Sequence, residues 1–238
     1  MKNRSNRLHI GVKHGIFNLL YHIKRQFAIF LQILYYIING ANTMNQSHFY
    51  AMISRMKYIN RWGLMNNTKY ENISEHSQQV AVLAHCLVLI HNKRFGGSLD
   101  AERAALLAVF HDATEIITGD MPTPIKYANP SIQKVYKQVE SSAADRLIEL
   151  LPEDFRDEYR DILKPSSESD LELEIFVKAA DRFSALIKCI EEMRMGNDEF
   201  KMAKETIEKS IHEMKLPEAE VFFDEFLPSF SLALDEIQ

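Results

Sequence analysis

The sequence predicts an all-α fold, and three observations carry that prediction. Apolar residues recur at helical spacing in segment after segment from Ser47 onward. No stretch alternates apolar and polar residues for long enough to read as a strand. Breaker residues punctuate the periodic segments, as at Phe95-Gly-Gly-Ser98, Gly119–Pro124 and Gly196-Asn197. At 238 residues, 46% of them hydrophobic, the chain can build one sizeable core and needs no second. The body therefore reads as one helical bundle spanning residues 44–238. It has no internal repeat and no low-complexity segment.

The elements follow in order. Ser47–Ile59 reads as a first helix, with Ser47 as its N-cap. Ser74 is placed to cap a second, in which Val80, Leu83, Leu87 and Ile90 continue the face of His76. Leu99–Ile117 reads as a third helix, with His111-Asp112 in its middle. Gly119-Asp-Met-Pro-Thr-Pro124 is predicted to be a loop free of helix, because it holds a glycine and two prolines. Ser131–Leu150 is amphipathic, Pro152–Leu163 a short helix and Pro165–Asp170 a polar connector. Leu171–Met195 reads as a long helix, followed by Glu199–Met214 and a tail through Phe222–Leu234. Cys86 and Cys189 both lie in apolar helical runs, which predicts buried free thiols.

The first 43 residues differ in kind. They hold six Lys/Arg and no acid, which leaves 22 basic against 33 acidic residues in the remainder, a net of −11. A body that acidic disfavours binding to a nucleic-acid polymer. Phe27–Ile38 is apolar apart from Gln32, yet at 12 residues it falls short of the roughly 20 that a membrane span needs. Three readings stay open: a signal-like or membrane-surface segment, a short helix packed on the body, or a start of translation at Met44. The third is preferred, which leaves residues 1–43 outside the functional domain. Membrane association is expected only if those residues are expressed.

The chemistry concentrates in a few residues. His111-Asp112 lies within the apolar stretch Ala104–Ile117, while His76 and Asp181 each neighbour other apolar runs. Ionisable groups are costly to bury in apolar surroundings unless something compensates them, and one divalent cation would compensate all four. Two imidazoles and two carboxylates suit Mn, Fe, Co, Ni or Zn better than Ca or Mg. Taken singly, each residue has a plainer reading: a hydrogen-bonded core histidine, as His85 or His91 would be, or a solvent-facing aspartate.

The order His76, His111-Asp112, Asp181 resembles the HD-domain superfamily of metal-dependent phosphohydrolases. The likeness extends to Ile59-Asn-Arg-Trp62, Glu75-His76-Ser, His111-Asp-Ala-Thr-Glu115, Gly119–Pro124 with Lys126-Tyr127, and Lys178-Ala-Ala-Asp181. This set, in this order from Met44 to the C-terminus, is similar to the bacterial YfbR-type 5′-deoxynucleotidases. The resemblance implies an all-helical HD domain that is a cytoplasmic homodimer. It implies a divalent metal, cobalt working best in vitro and manganese being an alternative, held by His76, His111, Asp112 and Asp181. The implied substrate is a deoxyribonucleoside 5′-monophosphate, which loses inorganic phosphate.

The site residues divide by chemistry. Glu115 stands at i+4 from His111 and i+3 from Asp112, where it can handle a proton. Arg61 offers a planar fork of donors that matches phosphate oxygens. Trp62, the single tryptophan, would stack on the base or wall off the sugar, with a core role as its alternative. Asp120, Met121, Pro122 and Thr123 read either as a recognition loop, where Asp120 can accept a hydrogen bond from the 3′-hydroxyl, or as a proline-fixed turn with a capping Asp; the resemblance implies the first. Asp112 is expected to face both metal and substrate. Other HD phosphohydrolases, acting on cyclic nucleotides or guanosine tetraphosphate, remain the enzymatic alternative. A helical binding module with a vestigial metal site is the non-enzymatic one. The aromatic run Phe222–Phe230 is open to dimerisation or core packing.

Overall fold

A computed structural model describes residues 24–25, 29, 46–126 and 129–237. The chain divides into two units, Met1–Gln46 and Ser47–Gln238, each described by itself. In the first, Lys24, Arg25 and Ile29 are helical, and the remaining expectations for residues 1–43 lie outside the described residues. No helix among the described residues is long and apolar enough to cross a membrane.

The second unit is all-α, as predicted. Its helices are α1 (Phe49–Ile53), α2 (Ile73–Arg94), α3 (Ala101–Phe110), α4 (Glu115–Thr118), α5 (Thr123–Lys126) and α6 (Pro130–Glu149). They continue as α7 (Arg156–Leu163), α8 (Glu168–Arg194), α9 (Lys201–His212) and α10 (Pro217–Glu225). Among the described residues the only β pairing is one isolated antiparallel bridge, Asn60 with Asn72.

The two longest helices, α2 and α8, pack on each other and on α3, and this trio forms the main core. Val80, Leu83 and Leu87 from α2 meet Leu107 from α3 and Phe183, Leu186 and Ile187 from α8. Each fully buried side chain of this kind contributes roughly 1.5–3 kcal/mol. Phe222 and Phe223 pack against Phe183 at ring separations of 4.6 and 5.0 Å, so this part of the late aromatic run serves the core. A second, smaller cluster of Phe49, Ala113, Leu147 and Leu151 fixes α1 and the turn after α3 against α6. Cys86 and Cys189 are free thiols, the latter buried and the former half-buried.

Several helix boundaries differ from the sequence expectation for identifiable reasons. Ser47 does not cap α1; its Oγ donates to the Leu150 carbonyl instead. Asn72, not Ser74, caps α2, because its Oδ1 accepts from both the Ser74 and Glu75 amides at 3.0 Å while Glu75 reaches back to the Asn72 amide. The segment 119–124 is not wholly loop. Pro122 offers its carbonyl to the Ile125 and Lys126 amides, so Thr123–Lys126 closes one helical turn with Pro124 where no amide is needed. Helix α8 begins at Glu168, inside the expected connector, because the Ser167 hydroxyl accepts from the Asp170 amide.

The largest correction concerns the third helix. It is not continuous from Leu99 to Ile117, and His111-Asp112 is not in its middle. α3 ends at Phe110, and residues 111–114 form a tightened turn before α4. The amides of Ala113, Glu115 and Ile116 donate to the carbonyls three residues back. At about three residues per turn, positions three apart come into line, so Asp112 and Glu115 face one way.

Replacing Asn72 by alanine removes the capping box and is expected to lower stability by about 1 kcal/mol. A chemical-denaturation midpoint reads the change.

Candidate metal centre

Each ligand-type side chain is set by its element. His76 lies on the first turn of α2, fully buried at 0% exposure. His111 and Asp112 sit in the turn after α3, and Asp181 projects from the middle of α8. The main core packs α2, α3 and α8 together, so the four groups converge. His76 Nε2 lies 3.1 Å from Asp181 Oδ1 and 3.5 Å from Asp112 Oδ2. His111 Nε2 lies 3.2 Å from the same Asp112 oxygen. The ligand atoms of His76, His111 and Asp112 all fall within 4.8 Å of one another.

The hydrogen bonds behind the rings decide which nitrogens face inward. Ser184 donates to Gln79 Oε1 at 2.6 Å and so accepts from His76 Nδ1 at 2.9 Å. His111 Nδ1 donates to the Ala108 carbonyl at 2.7 Å. Both inner nitrogens, His76 Nε2 and His111 Nε2, are buried without a hydrogen-bond partner. Two such nitrogens beside two carboxylates fit a divalent cation. This outer arrangement is the one that orients imidazole ligands in metal sites.

Without a cation, the groups answer each other. Burial works against a charge on His111, but the Asp112 carboxylate outweighs it and pushes the pKa up to about 9. Burial would raise Asp112, yet His111 and Arg61 hold it well below the usual carboxylate range. Burial and the nearby Arg61 charge push His76 down. Glu115, almost fully buried on α4, is pushed up to about 9 by burial and by the Asp112 and Asp120 charges. It therefore holds a proton at neutral pH, and its Oε2 has no partner.

The other predicted residues divide. Arg61 joins the centre: its Nη1 stands 3.8 Å from Asp112 and 4.0 Å from Asp181. Those separations are long for hydrogen bonds, so its donors are not consumed. Trp62 is next to it, half-buried, with its ring tilted against Phe200 at 5.3 Å. Asp120 is half-buried and meets the backbone of Trp62. Met121 and Pro122 are half-buried in the loop after α4, and Thr123 opens α5. Asp181 is the most open of the four ligand-type groups, at 44% side-chain exposure, so the centre communicates with solvent on that side.

Ser184, Gln79 and Glu71 were not found by sequence reading. The first two support His76, and Glu71 binds both Arg61 and Trp62. Their only sequence signal is position: Ser184 lies one helical turn beyond Asp181, and Glu71 immediately precedes the cap of α2.

Comparisons with known proteins bear on this centre. The family model described as "5'-deoxynucleotidase YfbR-like" matches residues 48–230. A 5'-deoxynucleotidase of Pectobacterium atrosepticum is 52% identical over 194 residues, covering 82% of this chain and 97% of its own length. One from Vibrio vulnificus is 49% identical, covering 82% of this chain and all of its own. Among solved structures, an HD-domain phosphohydrolase of Listeria innocua is similar with a TM-score of 0.66 at 22% identity, covering 77% of this chain and 88% of that one. The cyanophage S-2L HD phosphohydrolase, solved with dA and one catalytic Zn2+ ion, is similar with a TM-score of 0.54 at 17% identity, over 75% and 96%. The two structural likenesses establish the HD-domain fold.

Ser184→Ala is expected to weaken divalent-metal binding by about 10–100-fold, as loss of an outer hydrogen-bond partner does, and Asp112→Ala or Asp181→Ala by more. Metal titration of the chelator-treated protein measures all three. Raising the pH removes the proton that His111 holds up to about 9, so metal affinity should rise by about tenfold per unit between pH 6 and pH 8. A flat profile over that range would contradict the assignment of His111.

Proposed function

The chain belongs to the YfbR-like 5′-deoxynucleotidase family, and we propose that its hydrolysis of deoxyribonucleoside 5′-monophosphates runs at the centre of His76, His111, Asp112 and Asp181. The enzyme is a phosphoric monoester hydrolase whose products are a deoxyribonucleoside and inorganic phosphate. The single observation that carries the siting is the pair of buried Nε2 atoms without partners, facing two aspartates.

His76, His111, Asp112 and Asp181 would hold a divalent cation. When bound, such an ion supplies a water of lowered pKa and polarises a phosphoryl oxygen. Cobalt is the metal proposed to work best in vitro, with manganese as an alternative; the mixed N/O donor set suits first-row divalent ions of this kind without distinguishing among them.

The chain's own residues do the rest. Arg61 presents free guanidinium donors beside the ligands, where they can grip phosphate oxygens. Asp112 borders both the ligand set and Arg61, in keeping with a place against the substrate. Glu115, at the start of α4 directly after the turn at 111–114, is buried where burial and neighbouring acids favour its protonated form in the cation-free centre, and from there it can deliver a proton to the leaving 5′ oxygen and recover one from the attacking water. Trp62 walls the sugar side next to Arg61. Asp120 accepts from the 3′-hydroxyl, and Met121, Pro122 and Thr123 shape the loop around the nucleoside.

Residues 44–238 are proposed as the phosphohydrolase domain and the cytoplasm as its place of work. A homodimer is also proposed. The exposed apolar stripe of Ile132, Val135 and Val139 on α6 supports it, since these residues share one helix face.

Phosphate release from 5′- and 3′-monophosphates of ribo- and deoxyribonucleosides tests the reading. Release should be confined to 5′-deoxy substrates and vanish with chelator. Pyrophosphate or an intact monophosphate as product would point instead to another HD phosphohydrolase. Glu115→Gln should retain metal and lose kcat by roughly 10²-fold or more. Loss of metal along with rate would make Glu115 a ligand or a structural group.

A further inference from the structure

Residues 59–72 connect the first helical segment to α2 and carry both Arg61 and Trp62. Trp62 has φ +59°, in the left-handed region that bulky residues avoid. Such a backbone persists only when its surroundings over-determine it. Four contacts do so here. Its carbonyl accepts from the Met65 amide at 2.9 Å and from Asn67 Nδ2 at 3.2 Å. Its ring packs on Phe200. Its indole Nε1 donates to Glu71 Oε2 at 2.9 Å.

The same Glu71 oxygen stands 3.4 Å from Arg61 Nε as an ion pair without a hydrogen bond, since that buried Nε has no hydrogen-bond partner; both side chains are only 13% exposed. Glu71 also accepts the Arg61 amide on its own carbonyl at 2.9 Å. The bridge from Asn60 to Asn72 and the Ile73 amide on the Ile59 carbonyl hold the two ends of the loop side by side. The residue after Glu71 is Asn72, the cap of the helix that carries His76. The far side of the loop is tied down independently. Glu192, fully buried on α8 and paired with Lys188, accepts from the Thr68 amide and hydroxyl at 2.9 and 2.6 Å.

We propose that Glu71 is a positioning residue for substrate recognition: a single carboxylate oxygen sets the Trp62 indole and the Arg61 guanidinium in one fixed relation to the metal centre. An ionised acceptor suits this place because its charge attracts the guanidinium at ion-pair range while the same oxygen accepts the indole N–H, and a hydrogen bond to an ionised acceptor is the stronger kind. The consequence is a coupling between two tasks. The oxygen that orients the phosphate grip also fixes the wall on the sugar side, so selectivity for the sugar and affinity for the phosphate are set together. The inference rests on the proposed roles of Arg61 and Trp62 and goes beyond them, since Glu71 acts through its contacts with these two residues.

The test is steady-state kinetics on the metal-loaded full chain with a deoxyribonucleoside 5′-monophosphate and its ribose counterpart. Four variants are compared: Glu71→Ala, Glu71→Gln, Trp62→Ala and Arg61→Ala. Glu71→Ala should raise KM about tenfold and cut the deoxy-to-ribo preference in kcat/KM about tenfold, with kcat within about threefold of the parent. Glu71→Gln keeps a neutral oxygen for the indole and loses the charge facing Arg61. It should therefore keep most of the sugar preference while KM rises, and its near-isosteric side chain keeps the test readable if the alanine variant does not fold. A merely structural role would lower stability and active fraction without moving the sugar preference. If Trp62→Ala changes the preference and Arg61→Ala changes KM while both Glu71 variants leave them unchanged, Glu71 is not a positioning residue and the roles of its neighbours stand. If Trp62→Ala and Arg61→Ala change neither quantity, those roles fail, and the inference about Glu71 falls with them.

Discussion

Two imidazole nitrogens that have no proton donor or acceptor of their own, facing two carboxylates at 3.1–3.5 Å, are the constraint around which the molecule is arranged. Burial of these nitrogens without hydrogen-bond partners carries a desolvation cost that a cation shared with the carboxylates would offset. The groups come from α2, from the turn after α3 and from α8, and those elements form the largest packed unit. The core that stabilises the domain is therefore also the frame that fixes the ligands. Precision of this kind comes from helices locked by packing rather than from loops.

The break after α3 shows how local structure serves the centre. In a continuous α-helix Asp112 and Glu115, three residues apart, would share a face but stand about 60° out of line. The tightened turn at 111–114 brings Asp112 and Glu115 into line and lets His111 reach back to the Ala108 carbonyl. One turn thus supplies two ligand-type groups and the proton-holding carboxyl. The two carboxyls are pushed in opposite directions: His111 and Arg61 outweigh burial and hold Asp112 low, while burial and the neighbouring acids Asp112 and Asp120 push Glu115 up. Divergent acidities in adjacent groups are what acid–base division of labour needs.

On the substrate side the chain relies on a loop, and a loop needs fastening. Here the fastening is carboxylate-based at both ends: Glu71 near Arg61 and Trp62, and the buried Glu192 at Thr68 and Lys69. Glu192 keeps its charge in a fully buried place because Lys188, Thr68 and Asn197 all donate to it. An acidic body therefore spends several of its carboxylates on structure close to the site, while Arg61 supplies positive charge where an anion must enter.

The sequence by itself determined the helical class, the approximate spans of α2, α6 and α8, and the residue types of the centre. Periodicity survives tertiary packing when a helix is long, as in α2 and α8, and His76, His111, Asp112 and Asp181 stood out because ionisable groups beside apolar runs ask for a partner. The precise caps at Asn72 and Ser167 and the break at 111–114 were decided elsewhere. There, neighbouring residues offered competing local hydrogen bonds, and the choice between Asn72 and Ser74 as cap, or between three- and four-residue steps at 111–114, is not written in periodicity. The supports were decided by the fold alone. Ser184 meets His76 across 108 residues of chain, and no periodicity within either helix reveals that pairing. Glu71 partners Arg61 and Trp62 across a loop whose two ends are bridged and in which Trp62 has a positive φ, features with no signature in the local sequence. A residue's type can be read along the chain. Which neighbour consumes its hydrogen bonds depends on contacts that exist only after the helices have packed.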